Sequence, residues 1–123
     1  MPSWSSMPSR ERGIAAEQQA LQFLTARGLQ LVEANFRTRF GEIDLILRDG
    51  AVLVFAEVRM RASSAFGGAG GSISPPKQAK LIKTAQLYLN RFAKPPACRF
   101  DAVLLGADAG ATIEWIKDAF HAG

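Results

Sequence analysis

The sequence predicts a single α/β domain in the order α-β-β-β-α-β-β. Three observations predict it: apolar residues recur at helical spacing in two segments, strand-like runs lie between and after them, and glycine or proline marks the changes of period. At 123 residues, 48% of them hydrophobic and 21% charged, the chain can bury one core, with no second domain or internal repeat. Residues 1–10 read as a disordered leader and 11–123 as the domain.

From Arg10 to Arg27, Ile14, Ala20, Leu21, Phe23 and Leu24 gather on one side of a helix, and Gly28 is its natural stop. Leu29 to Phe36 is compatible with a strand, Ile43 to Leu47 is a short apolar run, and Ala51 to Met60 is another; Asp49-Gly50 between the last two is a hairpin signal. The three runs predict an antiparallel meander. From Ala62 to Ser72 glycine and serine leave too little apolar material to pack, which predicts a mobile loop where a substrate-contacting flap would sit. Ser74 then offers a cap with Pro75 at the first helical position, for a helix that runs to about Phe92 before Pro95-Pro96 stops it. Arg99 to Leu105 and Ala111 to Ile116 predict two further strands, with a short tail around Asp118-Ala119-Phe120.

Fifteen Lys and Arg against eleven Asp and Glu give a formal charge of +4 and a pI near 9.7. That balance suits a polyanionic partner such as nucleic acid, and equally a slightly basic soluble protein. No run of about 18 apolar residues could span a bilayer, and Met1 to Ser9 lacks the basic start and apolar stretch of a signal peptide, so a cytoplasmic protein without a membrane partner is expected. Cys98 is the only cysteine; with His121 beside it in this chemistry there is neither an internal disulfide nor a zinc set.

Chemistry concentrates in Gly41-Glu42-Ile43-Asp44 and Glu57-Val58-Arg59. Alternation puts Glu42, Asp44 and Ile46 on one side of their strand, and Phe55, Glu57, Arg59 and Arg61 on one side of the next. With Asp49-Gly50 as a two-residue loop, Arg48 pairs with Ala51, Glu42 faces Glu57, and Asp44 faces Phe55 with Glu57 diagonal to it. Cross-strand neighbours lie about 4.5–5.5 Å apart and diagonal ones about 7–8 Å, a range in which carboxylates can share a divalent ion. Mg²⁺ or Mn²⁺, hard ions that take oxygen ligands, would remove the repulsion; salt bridges to Arg48, Arg59 and Arg61 on a solvated face would do so as well.

Glu17 falls between Ile14, Leu21 and Leu24, inside the apolar stripe of its helix. A carboxylate there needs an arginine or a share in the same ion cluster. On the second long helix Gln78 lies in the core-facing arc of Leu81, Ile82, Ala85, Tyr88, Leu89 and Phe92, one turn from the N-terminus. Its amide could bond a phosphate, a metal-bound water or the edge of the core. Lys80, Lys83, Arg91 and Lys94 occupy the opposite side, either a ridge for a phosphate backbone or a solvated face. Arg39, Arg61, Lys77, Lys80 and Lys83 are the candidate nucleic-acid contacts.

Taken in order, Arg12-Gly13, Ala16-Glu17, Asn35-Phe36-Arg37, Gly41 to Ile46, Val54 to Arg61, Phe66-Gly67, Pro76-Lys77-Gln78 and Arg99-Phe100-Asp101 resemble the YraN family of small bacterial proteins. The resemblance runs from about Arg12 to Phe120. It implies kinship with Holliday-junction resolvases of the PD-(D/E)XK superfamily, and so a restriction-endonuclease-like core with a mixed central sheet flanked by helices. It further implies a Mg- or Mn-dependent endonuclease acting on DNA, possibly branched, and a homodimer by analogy with resolvases. Asp44 would be the first metal-binding acid, Glu57 the acid of the E-x-K element, Glu17 the helix acid and Gln78 part of a Lys-Gln pair; Glu42 joins the metal set on strand alternation alone.

Arg59 departs from that pattern, because lysine is usual there. A guanidinium is a planar cationic fork that clamps phosphate but does not accept a proton. Either the ion alone generates the nucleophile, or Lys77 or Lys80 reaches in from the helix, or catalysis has been lost. In the last case the chain is a silent nucleic-acid-binding module, or a protein-interaction domain.

Overall fold

A computed structural model describes residues 7–60, 73–106 and 112–121. Its elements follow the predicted order: α1 (Ser9–Ala26), β1 (Gln30–Thr38), β2 (Gly41–Asp49), β3 (Val52–Met60), α2 (Pro75–Leu89), β4 (Cys98–Leu105) and β5 (Ile113–Phe120). Helix α1 begins inside the stretch expected to be leader. Arg61 and the expected loop from Ala62 to Ser72 lie outside the described residues.

Local chemistry sets most boundaries. Gly28 takes φ +98, a conformation glycine adopts without a Cβ clash, and α1 closes through Gly28 N–H to the Thr25 carbonyl (3.1 Å) and Leu29 N–H to the Leu24 carbonyl (3.2 Å). The Ser74 side chain accepts the Lys77 N–H at 3.4 Å, with proline in the first turn of α2. Helix α2 stops at Leu89, short of the expected Phe92; Arg91 and Phe92 turn off it with bonds to the Tyr88 and Leu89 carbonyls, and Phe92 still packs on the core.

The strands form one sheet in the order β1-β2-β3-β4-β5. Neighbours are antiparallel except β3 and β4, which run parallel and are joined by the crossover that contains α2, so the sheet is mixed as expected. Its two faces carry separate cores. Ala16, Ala20 and Leu24 of α1 pack on Leu45, Leu47, Val54, Ala56, Val103 and Leu105. Leu81, Ala85 and Tyr88 of α2 pack on Ile46, Leu53, Phe55, Phe100 and Leu104. Ile14, expected on the apolar stripe, is 49% exposed and lines an open cleft with Glu17, Asn35 and Arg37. No helix among the described residues is long and apolar enough to cross a membrane.

Two expectations need correction. The β2–β3 turn has Gly50 and Ala51 at its corner, because Asp49 pairs with Val52 and Arg48 with Leu53, not with Ala51. Gly50 has φ +62 while Ala51 is not left-handed, the pattern of a type II′ turn with glycine first; a corner at Asp49-Gly50 would have spent the glycine on the second position. Gly50→Ala should lower stability by about 1 kcal/mol, read as a shifted urea midpoint at unchanged slope.

The second correction concerns the tail: Asp118, Ala119 and Phe120 belong to β5. The register shifts between Phe100 and Ala102, where Asp118 adopts φ +54 and its N–H donates to Asp101 Oδ1 at 2.9 Å. A bulge held by a buried carboxylate carries the strand on to pair Phe120 with Phe100. At the other edge, β1 shifts register between Leu31 and Glu33 and has Asn35 at φ +56.

Candidate functional site

The corrected register slides β3 by two residues relative to the expected pairing, and a shift of two leaves every side chain on its own face. The ladder between β2 and β3 runs to Leu45 opposite Ala56 and ends one residue short of Asp44 and Glu57. Here the strands part. Ile43 joins Ile46 on the α2 side while Leu45 and Leu47 face α1, so the alternation breaks across Asp44. The Val58 N–H, freed from the ladder, donates to Asp44 Oδ2 at 2.8 Å.

Burial pushes the Asp44 carboxyl up to about 7; the Glu57 charge pushes the same way, the Val58 hydrogen bond pulls it back, and Glu17 and Glu42 add smaller upward pushes. Near neutral pH this group exchanges a proton. Glu57 is 7% exposed, and the Lys77 ammonium reaches its Oε1 at 2.8 Å from the first turn of α2.

Glu17 and Glu42 stand one remove away, each with its own partner. Burial raises the Glu17 carboxyl, and a hydrogen bond from Asn35 partly offsets it. Glu42 meets the Arg37 guanidinium at 3.4 Å. It also lines two openings: a cavity of about 370 Å³ with Gly41, Ser74, Lys77 and Lys80, and a cleft of about 380 Å³ with Glu17, Asn35 and Arg37. Gln78 gives its amide N–H to the Ile73 carbonyl at 2.7 Å, fastening the chain that enters α2. Arg59 lies on β3 beside Leu104 of β4. Lys80 and Lys83 are exposed along α2, and Arg39 is exposed at the β1–β2 turn.

Sequence reasoning missed Asn35 as the partner of Glu17. The bond joins α1 to β1, and no local pattern announces it; the left-handed backbone of Asn35 is seen only in the fold. The direct pairing of Lys77 with Glu57 had no local signal, because it depends on where the crossover lays α2.

Among the described residues no three His, Cys, Asp or Glu side chains stand close enough to ligate one ion. The donor chemistry of the Asp44–Glu57 pair still fits Mg²⁺ or Mn²⁺. Such ions are commonly held by one or two carboxylates, with water and substrate phosphate completing the shell.

The fold and site together define an α/β protein whose mixed sheet parts at one end around acidic side chains, with lysines arriving from the crossover helix. The chain belongs to the family described as Uncharacterised protein family UPF0102, whose model matches residues 16–105, and this is the YraN family that its motifs resemble. A UPF0102 protein of Nitrosospira multiformis is 53% identical over 114 residues, covering 93% of this chain and 96% of the relative. One from Nitrosomonas eutropha is 50% identical over 115 residues, covering 94% and 97%. One from a Janthinobacterium species is 51% identical over 110 residues, covering 89% and 87%.

Proposed function

We propose that this protein is a cytoplasmic phosphodiesterase that hydrolyses DNA with the help of Mg²⁺ or Mn²⁺. The observation that carries the reading is the Asp44–Glu57 pair, close enough for the charge of Glu57 to push up the Asp44 carboxyl, with Lys77 at 2.8 Å from Glu57. A purely structural hairpin gains nothing from two neighbouring acids when burial, and then their repulsion, raises one of them to about 7; an asparagine would accept the Val58 N–H equally well. A bound divalent ion would supply positive charge to the scissile phosphate and lower the pKa of an attacking water.

The chain's own residues do the rest. Asp44 and Glu57 would hold the ion, and because Asp44 would do so only when deprotonated, the affinity of the site for the ion falls as pH drops below about 7. Lys77 answers the substitution at position 59: it comes from α2 and places an ammonium beside Glu57, where it can donate to a phosphate oxygen and hold the scissile group in line. Arg59 clamps charge without moving a proton. Lys80 and Lys83 continue the positive surface along α2 for the phosphate backbone.

The test is Mn²⁺-dependent cleavage of branched, flapped and single-stranded DNA by wild type, Lys77→Ala and Arg59→Lys. Lys77→Ala should slow cleavage by about 100-fold, the cost typical of losing one charge-stabilising donor, whereas Arg59→Lys should change it only a few-fold. Wild type that fails to cleave at high enzyme, yet binds DNA salt-sensitively even as Glu57→Ala, would sink hydrolysis and leave a binding module.

A further inference from the structure

The β1–β2 hairpin turns through an unusual corner. Thr38 pairs with Gly41, leaving Arg39 and Phe40 at the two corner positions, where glycine, asparagine or aspartate is the common choice. Phe40 belongs to neither apolar core and is only half-buried. The corner is nonetheless held in place. Thr38 Oγ1 accepts the Phe40 N–H at 3.1 Å, donates to the Gly41 carbonyl at 3.3 Å, and lies 3.5 Å from Thr84 Oγ1 of α2. A Cβ at Gly41 would already touch Thr84 Oγ1 at 3.5 Å and Lys80 Cβ at 3.7 Å, so the hairpin tip is seated against the helix.

Two exposed cations lie over the Phe40 ring: the Arg39 guanidinium carbon is 4.9 Å from its centroid and the Lys83 ammonium 5.4 Å. From Lys83, Lys80 and Lys77 follow at intervals of three residues, each about 4.5 Å further along the helix axis, and the row ends on Glu57. On the strand side Asp44 lies about 13 Å from Phe40 at the rise of a β-strand. A fixed aromatic ring that already draws cations over its π-system, a few nucleotides from the acid pair, matches a π-surface attached to a polyanion. In a duplex the base faces are already stacked on one another; in an unpaired segment they are free.

We propose that Phe40 is a stacking platform for an unpaired base beside the scissile phosphate, with Arg39 and Lys83 taking the flanking phosphates. The substrate class is therefore nucleic acid with a single-stranded segment next to the cut. The assignment rests on the nucleic-acid reading of the same site, and it deepens that reading.

Fluorescence anisotropy in EDTA, with a labelled single-stranded oligonucleotide and the same oligonucleotide annealed into a blunt duplex, tests it without any cleavage. Phe40→Leu should weaken single-strand binding about tenfold and duplex binding less than about twofold, because one stacked base is lost. Phe40→Trp should keep wild-type affinity and show additional tryptophan quenching by the single strand. Equal losses on both ligands, no loss on either, or a Phe40→Trp protein that binds like Phe40→Leu would overturn the proposal. A wild type that fails to cleave with Mn²⁺ while showing this discrimination would remove hydrolysis and keep the platform. A protein that cleaves without the discrimination would do the reverse.

Discussion

Asp44→Asn is expected to abolish Mn²⁺-dependent cleavage and, at pH 8, to make the protein more stable than wild type. In the folded chain the Asp44 carboxyl keeps its proton up to about 7, against an ordinary value of 3.8. Between those values the folded state binds the extra proton, so stability falls as pH rises from about 4 to about 7 and levels off above that. At roughly 1.4 kcal/mol per pKa unit the full gap sets an upper limit near 4 kcal/mol, part of which local relaxation absorbs. Asparagine keeps an acceptor for the Val58 N–H and carries no charge to oppose Glu57.

Thermal melts at pH 5 and pH 8 check this expectation. The variant should already melt slightly higher than wild type at pH 5, and the gap should widen to roughly 5–10 °C at pH 8. Mn²⁺ at pH 8 should raise the wild-type midpoint by binding the folded state and leave Asp44→Asn unmoved. A variant that melts lower than wild type at pH 8 contradicts the raised proton affinity. A wild type indifferent to Mn²⁺ contradicts the ion site.

Asp101→Ala should be among the most damaging single changes in the chain. Its carboxylate is 1% exposed and accepts from Arg99 Nε at 3.0 Å, Trp115 Nε1 at 2.9 Å and the Asp118 N–H at 2.9 Å. Alanine would leave three donors without their acceptor and a largely buried guanidinium with only Asp49, 2.9 Å from Arg99 Nη1. Breaking a buried pair in this way costs about 3–5 kcal/mol. The bulge at Asp118 would lose its anchor, and with it the pairing of Phe120. Urea unfolding followed by far-UV circular dichroism should show a much lower midpoint, and Asp101→Asn, which retains one strong acceptor, should fall between. A midpoint within about 1 kcal/mol of wild type would mean that the network contributes little.

Where a single residue dictates its own backbone, the sequence was a sufficient guide. Gly28 and the Ser74-Pro75 cap act locally, and the helices begin or end where they fall. The nearness of Asp44 and Glu57 was legible although their register was not, because the pairing error was two residues and side-chain direction along β3 repeats every two. Contacts between distant elements were hidden or, for Lys77, one alternative among several. The meeting of Lys77 with Glu57 follows from a parallel crossover, the Glu17–Asn35 bond from a left-handed asparagine, and the last turn of β5 from a carboxylate on its neighbour. None of these is encoded in any short window of sequence.

The irregular outer strand has a consequence for how this protein behaves at high concentration. Strand β1 is an open border of the sheet and presents Leu31 and Val32, each 42% exposed, a combination that invites another chain to add on. The register shift after Leu31 and the reversed backbone at Asn35 interrupt the row of free amide and carbonyl groups. A visiting strand can make only a few bonds before the rows fall out of step. The border thus stays sticky in its side chains and uncooperative in its backbone, a guard against ribbon-like aggregation.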